Sequence, residues 1–293
     1  MKIAIYGQAF QDNGLSYVYE LLEELAGMES QVVIEADFLQ LLRTHQKNIS
    51  YPTFDHKEGL SSEFDLFVSF GGDGTILRAV TYVGDLGIPI VGVNTGRLGF
   101  LSTYKKEDVR QLIHQFKRGD YVIVERSLVT VSADPEIEEF KGMNYALNEV
   151  TVSRKDTTSM ITIETHLDEE YLTSYWADGL IISTPTGSTG YSLSCGGPVM
   201  TPTAQSLVIT PIAPHNLNAR PLVISDDTEI RIKVSGREDQ HMVSLDSRLA
   251  TIDNGKELLI KKADFTVKMI EYASESFLKT IRNKLLWGQD KRN

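Results

Sequence analysis

Apolar residues recur along this chain with two rhythms. Up to about residue 120, short β-branched runs alternate with stretches spaced for helices. Residues 2–6 read as a strand. Leu15, Val18, Leu21, Leu22 and Leu25 then fall three or four apart on one helical face, and Gly27 follows as a stop. Residues 31–35 predict a second strand and 38–42 a second helix, while the polar segment 47–62, with Pro52 and Gly59, reads as a long mobile loop. A strongly apolar strand over 64–70 runs into Gly71-Gly72-Asp73-Gly74-Thr75, and 76–80 continues as helix. Residues 88–93 predict another buried strand and 106–117 one more helix. Strand and helix in alternation is the signature of a parallel α/β sheet.

Beyond residue 120 the helical spacing fades. Residues 121–131, 144–152, 160–167, 181–183, 207–212, 228–234 and 258–262 are β-like, with clear apolar–polar alternation at 161–165 and 229–234, as expected for strands with one wet face. The expected fold is an α/β N-terminal domain with a Rossmann-like parallel sheet over 1–120, then a β-rich, antiparallel, sandwich-like domain over 121–275. Residues 276–293 carry a C-terminal amphipathic helix, 277–287, expected to pack back on the body.

Composition narrows the function. The 293 residues carry a formal charge of −11, which argues against nucleic acid or an anionic membrane as the main partner, because either needs basic surface to replace counterions. With 41% hydrophobic and 24% charged residues, the chain falls in the ordinary globular class. No apolar run approaches the roughly 20 residues of a membrane-spanning helix, and the first apolar stretch is too brief for a signal-peptide core. The single cysteine, Cys195, permits no internal disulfide, so the expected compartment is the cytoplasm.

Three constellations carry candidate chemistry. In the turn 71–75, between strand and helix, glycines let the backbone come close to a ligand and the first helical amides form an anion site. Asp73 would repel a phosphate there unless it works as a general base or through a cation. The turn lacks the lysine of a P-loop and the spacing of a dinucleotide fingerprint. The pair Asn148-Glu149 offers donor and acceptor together, suited to a base edge and ribose hydroxyls. In residues 178–194 an apolar run enters a segment dense in hydroxyls and glycine, able to bind sugar or phosphate oxygens. No Gly-x-Ser-x-Gly elbow occurs there, and the six histidines form no metal-binding spacing, so no metal site is assigned to the protein.

These motifs in this order, with the later Pro-His-x-Leu-x-Ala-Arg-Pro-Leu-Val-Ile segment at 214–224, closely resemble the NAD kinase family of the bacterial, ATP- or polyphosphate-dependent type. The resemblance runs from residue 70 to 224. It implies an enzyme, a phosphotransferase that moves the terminal phosphoryl group of ATP to the 2′-hydroxyl of the adenosine ribose of NAD, giving NADP, at a site between the two domains of a homodimer or homotetramer. It further implies that Asp73 is the base, that Gly74 and its turn hold nucleotide phosphates, and that Arg78 reaches a phosphate. Asn148 and Glu149 would bind the adenosine part of NAD, and Asp178 the far end. Thr189, Gly190, Tyr191, Ser192, Leu193 and Ser194, with Ala213, would line the pocket, partly across a subunit contact. Mg²⁺ would arrive mainly on ATP. Many relatives carry Ala at Gly190 and Arg at Trp176. The alternatives are a lipid or sugar kinase sharing the Gly-Gly-Asp-Gly turn, and a non-catalytic nucleotide sensor, for which Asp73 would have no use.

Overall fold

A computed structural model describes residues 1–8, 14–96, 98–102, 104–155, 159–272 and 276–286. The chain forms two compact units, Met1–Glu125 with Val267–Asn293, and Arg126–Thr266. The first unit begins with β1 (Lys2–Gly7), α1 (Gly14–Gly27), β2 (Gln31–Glu35), α2 (Ala36–His45) and β3 (Thr53–Phe54). It continues with β4 (Leu66–Phe70), α3 (Asp73–Val83), β5 (Ile90–Asn94), β6 (Tyr104–Lys105) and α4 (Val109–Arg118). All strands pair in parallel in the order β3-β2-β1-β4-β5-β6.

Every residue of β4 and β5 is buried, which is why they read as continuous apolar runs instead of alternating ones. Val18, Leu21 and Leu25 of α1, Phe38 and Leu42 of α2 and Leu112 and Ile113 of α4 pack in one cluster with Ile3, Ile5, Ile34 and Val68 of the sheet. Strand order reverses between β1 and β4, so their carboxyl ends flank the crevice where open α/β sheets take their ligands.

The expected loop at 47–62 contains β3. Phe54 is buried there with its ring edge-on to Phe67 and Tyr82, and a two-residue strand is too short to leave a periodic signal. Helix α4 is preceded by a 3₁₀ turn at Lys106–Asp108 and closed by Gly119 in the left-handed region, φ 75°.

The second unit contains β7 (Val122–Ser132), which enters from the first, then β8 (Tyr145–Ala146), β9 (Glu149–Arg154), β10 (Ile161–Leu167), β11 (Glu170–Ala177) and β12 (Gly179–Ser183). The helical turn α5 (Tyr191–Ser194) precedes β13 (Ser206–Ile212), β14 (Leu222–Ser225), β15 (Ile230–Ser235), β16 (Gln240–Leu245), β17 (Arg248–Asp253) and β18 (Glu257–Glu271). One antiparallel sheet runs β14-β13-β12-β9-β16-β17, and a second series runs β11-β10-β15-β18. Inward residues of both, among them Val152, Ile182 and Val243 from one and Ile163, Ile232 and Ile260 from the other, make a single core. Strands β11, β14, β16 and β17 had no counterpart in the sequence pattern.

Strand β18 is far longer than the expected 258–262. Its last residues pair in parallel with β5, Met269 opposite Ile90, and Ile270 and Tyr272 join the core of the first unit. The packing therefore divides at 125/126 and 266/267, where the sequence rhythm placed 120 and 275. Helix α6 (Phe277–Leu285) is capped by Ser276, whose hydroxyl accepts from the Lys279 amide, and buries Thr280 and Ile281. Trp287, assigned to this helix from sequence, lies outside the described residues.

Candidate functional site

In the first unit the site grows from the end of β4. Gly71, at φ 152°, donates to the carbonyl of Val93, and a Cβ there would overlap the side chain of Thr75, so the sharp entry into α3 needs glycine. Asp73 is the first residue of α3, and its carboxylate lies across the turn that follows β5. Oδ2 accepts from the amide of Phe100 at 2.8 Å, and Oδ1 from those of Leu101 and Ser102, both at 3.0 Å. Gly99 approaches so closely that a Cβ would overlap that carboxylate. Ser102 is fully buried, and its hydroxyl donates to the carbonyl of Gly71 at 2.8 Å, fastening the loop to both flanks of the glycine turn. A carboxylate offers about four lone-pair positions. Three face amides, which leaves one on Oδ2.

Gly74 is exposed with open space where a side chain would stand; the amides of Thr75 and Ile76 donate to the Gly72 carbonyl, which leaves those of Asp73 and Gly74 to face an anion. One helical turn on, Arg78 is exposed, and Gln8, with its amide oriented by its neighbours, accepts from Arg78 Nη1 at 2.9 Å. Arg78, Gln8, Tyr6, Glu35, Asp37 and Tyr82 line a cavity of about 490 Å³ at the carboxyl ends of β1 and β2. Glu35 is buried there as the cap of α2, accepting from the Phe38 amide at 2.8 Å, and Tyr82 stacks on His56 at 3.9 Å. Burial raises the Tyr6 hydroxyl above its ordinary range, against the lowering charge of Arg78.

In the second unit Asn148 lies in the break between β8 and β9, and Glu149 opens β9; the sequence pattern had run both strands together over 144–152. Glu149 is 8% exposed, and Oε2 has no hydrogen-bond partner among the described residues. Burial first, then the charge of Asp246, pushes its carboxyl up to about 8, although the amide of Tyr191 works against the shift. Gly190 lies against this pair: a Cβ there would stand 3.2 Å from Glu149 Oε2 and 3.5 Å from Asn148 Nδ2.

The structure thus gathers Asn148, Glu149, Gly190 and Tyr191. Asp178 is ion-paired with Arg154 at 3.1 Å. The hydroxyl-rich segment is less available than its composition suggests. Thr184, Ser188 and Ser192 are fully buried; Thr184 donates to the carbonyl of Leu147, Ser188 to that of Pro185, and Ser192 bonds Thr210 at 2.8 Å. Thr189 donates to the carbonyl of Thr186 at 3.1 Å, Leu193 is half-buried, and Tyr191, Ser194 and Ala213 are exposed, Ala213 at φ 43°. Trp176 is half exposed and lies edge-on to His215 at 4.4 Å.

Sequence reasoning passed over Ser102, Arg154, Asp246 and Arg248. Only the two-residue connection at Asp246-Ser247 left a signal, as a hairpin turn between two alternating runs. Among the described residues, no three His, Cys, Asp or Glu side chains converge on a metal position.

Two family models match the chain, the ATP-NAD kinase N-terminal domain over residues 9–121 and the ATP-NAD kinase C-terminal domain over 147–272. Among curated relatives, NAD kinases of Flavobacterium johnsoniae and Christiangramia forsetii are 55% and 56% identical, each alignment covering 100% of both chains. A solved NAD kinase from Archaeoglobus fulgidus, in complex with ATP, is 26% identical with a TM-score of 0.75, covering 98% of this chain and 99% of that one. Yeast NADH kinase complexed with NADH has a TM-score of 0.86 at 22% identity, covers 99% and 88% of the two chains, and likens the fold alone. By its domains and by its full-length identity to these relatives, the chain belongs to the NAD kinase family.

Proposed function

We propose that this chain transfers the terminal phosphoryl group of ATP to the 2′-hydroxyl of the adenosine ribose of NAD, with Asp73 as the base. The observation that carries this reading is the Asp73 carboxylate: three amides fix its plane and one acceptor position stays open, at the mouth of a helix whose first amides suit phosphate oxygens. Phosphoryl transfer asks a protein mainly for alignment and charge neutralisation, which a held carboxylate, backbone donors and Arg78 provide. The 490 Å³ cavity beside Arg78 suits the nucleoside of the phosphoryl donor, with aromatic walls for a base and Asp37 for ribose hydroxyls. Asn148 and Glu149 take the adenosine of NAD, Asp178 with Arg154 its far end, and residues 189–194 with Ala213 the pocket wall.

A divalent cation, Mg²⁺, supplies charge neutralisation at the transferred group. With Asp73 the only carboxylate in the glycine turn, the residues present fit an ion that would be held mainly by phosphate oxygens and water. No helix among the described residues is long and apolar enough to cross a membrane; the single cysteine, which permits no internal disulfide, supports a cytoplasmic protein. Exposed Trp176, Leu217 and Val223 support assembly into a homodimer or homotetramer through the second unit.

Incubating the protein with NAD, ATP and Mg²⁺ should yield NADP. Absence of NADP together with transfer to a lipid or sugar would overturn the reading.

A further inference from the structure

Strands β16 and β17 join through Asp246 and Ser247, with Leu245 opposite Arg248 and Asp246 at φ 53°. The side chains flanking this tight turn both reach back to the segment that carries Asn148 and Glu149. Asp246 Oδ2 accepts from the amide of Leu147 at 2.9 Å, and Oδ1 from those of Asn148 at 2.8 Å and Glu149 at 3.2 Å, while the Asp246 amide donates to the carbonyl of Glu149 at 3.1 Å. Arg248 donates to the carbonyls of Met143 and Tyr145, its guanidinium 5.6 Å from the centre of the Tyr145 ring. The acid grips donors and the base grips acceptors of one stretch of backbone.

We propose that this hairpin is a clamp for acceptor recognition, in which Asp246 is a positioning residue that fixes the backbone at 147–149, with Arg248 bracing the stretch before it. The proposal rests on the reading of Glu149 as a contact for the adenosine of NAD. A break between two strands leaves amides that a ladder would otherwise satisfy, and buried amides need partners. Here a single carboxylate satisfies three in a row, so the stretch 147–149 is held across the break between β8 and β9, where Glu149 already lies opposite Ser183 of β12.

The neighbours of Glu149 fix the sign of the coupling. Asp246 and the amide and ring of Tyr191 face it, Cys195 lies close enough for Glu149 to raise the thiol, Arg248 stands beside Asp246, and Asp178 with Arg154 lies beyond Tyr191. Burial is the larger cause of the raised Glu149 carboxyl and the charge of Asp246 the second, so loss of that charge lowers Glu149 only part of the way.

Binding of NAD, with KM and kcat, measured from about pH 6 to about 9.5 on the wild type, Asp246→Asn, Arg248→Gln and Glu149→Gln tests this. In the wild type KM for NAD should titrate with a midpoint near 8. Asp246→Asn should raise KM about 5- to 50-fold, keep kcat within about threefold and move the midpoint to lower pH. Arg248→Gln, which keeps the acidic charge, should raise KM without lowering the midpoint, and serves if Asp246→Asn does not fold. An unmoved midpoint and KM in Asp246→Asn, or a lowered kcat with unchanged KM in Arg248→Gln, would overturn the clamp while a raised KM in Glu149→Gln keeps the underlying reading. If Glu149→Gln leaves KM and its pH dependence unchanged, the reading of Glu149 fails, and the clamp with it.

Discussion

Asp73 and Asp246 solve the same problem in different surroundings. Each carboxylate accepts three backbone amides from a segment remote in sequence, 100–102 in one case and 147–149 in the other. Asp73 stands at a helix start beside exposed glycines; Asp246 is enclosed enough that burial raises its carboxyl, with the Glu149 carboxyl and Arg248 beside it. The same hydrogen-bond pattern thus stands beside exposed backbone in one place and in an enclosed turn in the other, and the proposed roles, base and positioning residue, follow that difference in surroundings.

The largest expected effect separates the two. Asp73→Asn should retain NAD binding while turnover falls on the order of 10²–10⁴-fold, the range for a lost general base, measured as initial rates of NADP formation. The effect of Asp246→Asn should fall on KM instead; equal losses of turnover from both substitutions would erase the contrast. Gly99→Ala comes next. Its methyl must displace the Asp73 carboxylate, so turnover should drop roughly 10- to 100-fold with the NAD affinity of the wild type, since a shift near 1 Å suffices for such a loss. A wild-type rate would show that the anchored position of Asp73 is not the working one.

A smaller effect concerns stability. Because the folded-state value of Glu149, about 8, lies above the ordinary 4.5, the folded chain between these limits holds a proton that the unfolded chain has lost. Stability should therefore fall as pH rises through that window, and Glu149→Gln should remove that slope and raise the melting temperature at about pH 9 while leaving it nearly unchanged near pH 4. A slope that persists in the variant would show that other groups set it. The smallest effect is expected for Gly190→Ala, whose added methyl would sit 3.1 Å from the Gly187 carbonyl and 3.2 Å from Glu149 Oε2. The neighbours need give only a few tenths of an ångström, so KM for NAD should change by less than about threefold. A tenfold rise would mean that the wall beside Glu149 is as rigid as the one beside Asp73.

The parallel half was legible because its buried strands are unbroken apolar runs and its helices keep a regular spacing; Phe54 escaped because a lone buried aromatic has no period. The glycine turn was legible because glycine spacing is local chemistry. The clamp was not. Its partners are about a hundred residues apart, β16 alternates with a histidine on its inner face, and Asp-Ser is a weaker turn signal than Asn-Gly. The hydroxyls of Ser188 and Ser192 read as ligand groups from composition, yet both are spent inside the fold, which only the partners Pro185 and Thr210 reveal.

The return of β18 to the first unit also orders events in time. Ile270 and Tyr272 belong to the core that β1 through α4 enclose, and Tyr272 donates to the carbonyl of Leu112. A ribosome that has released only the first 125 residues has made a sheet without its last apolar filling, whereas residues 126–266 emerge as an uninterrupted compact unit. Completion of the half that holds Asp73 thus waits until residue 272 has been made, and a nascent chain arrested before residue 270 lacks two residues of that α/β core.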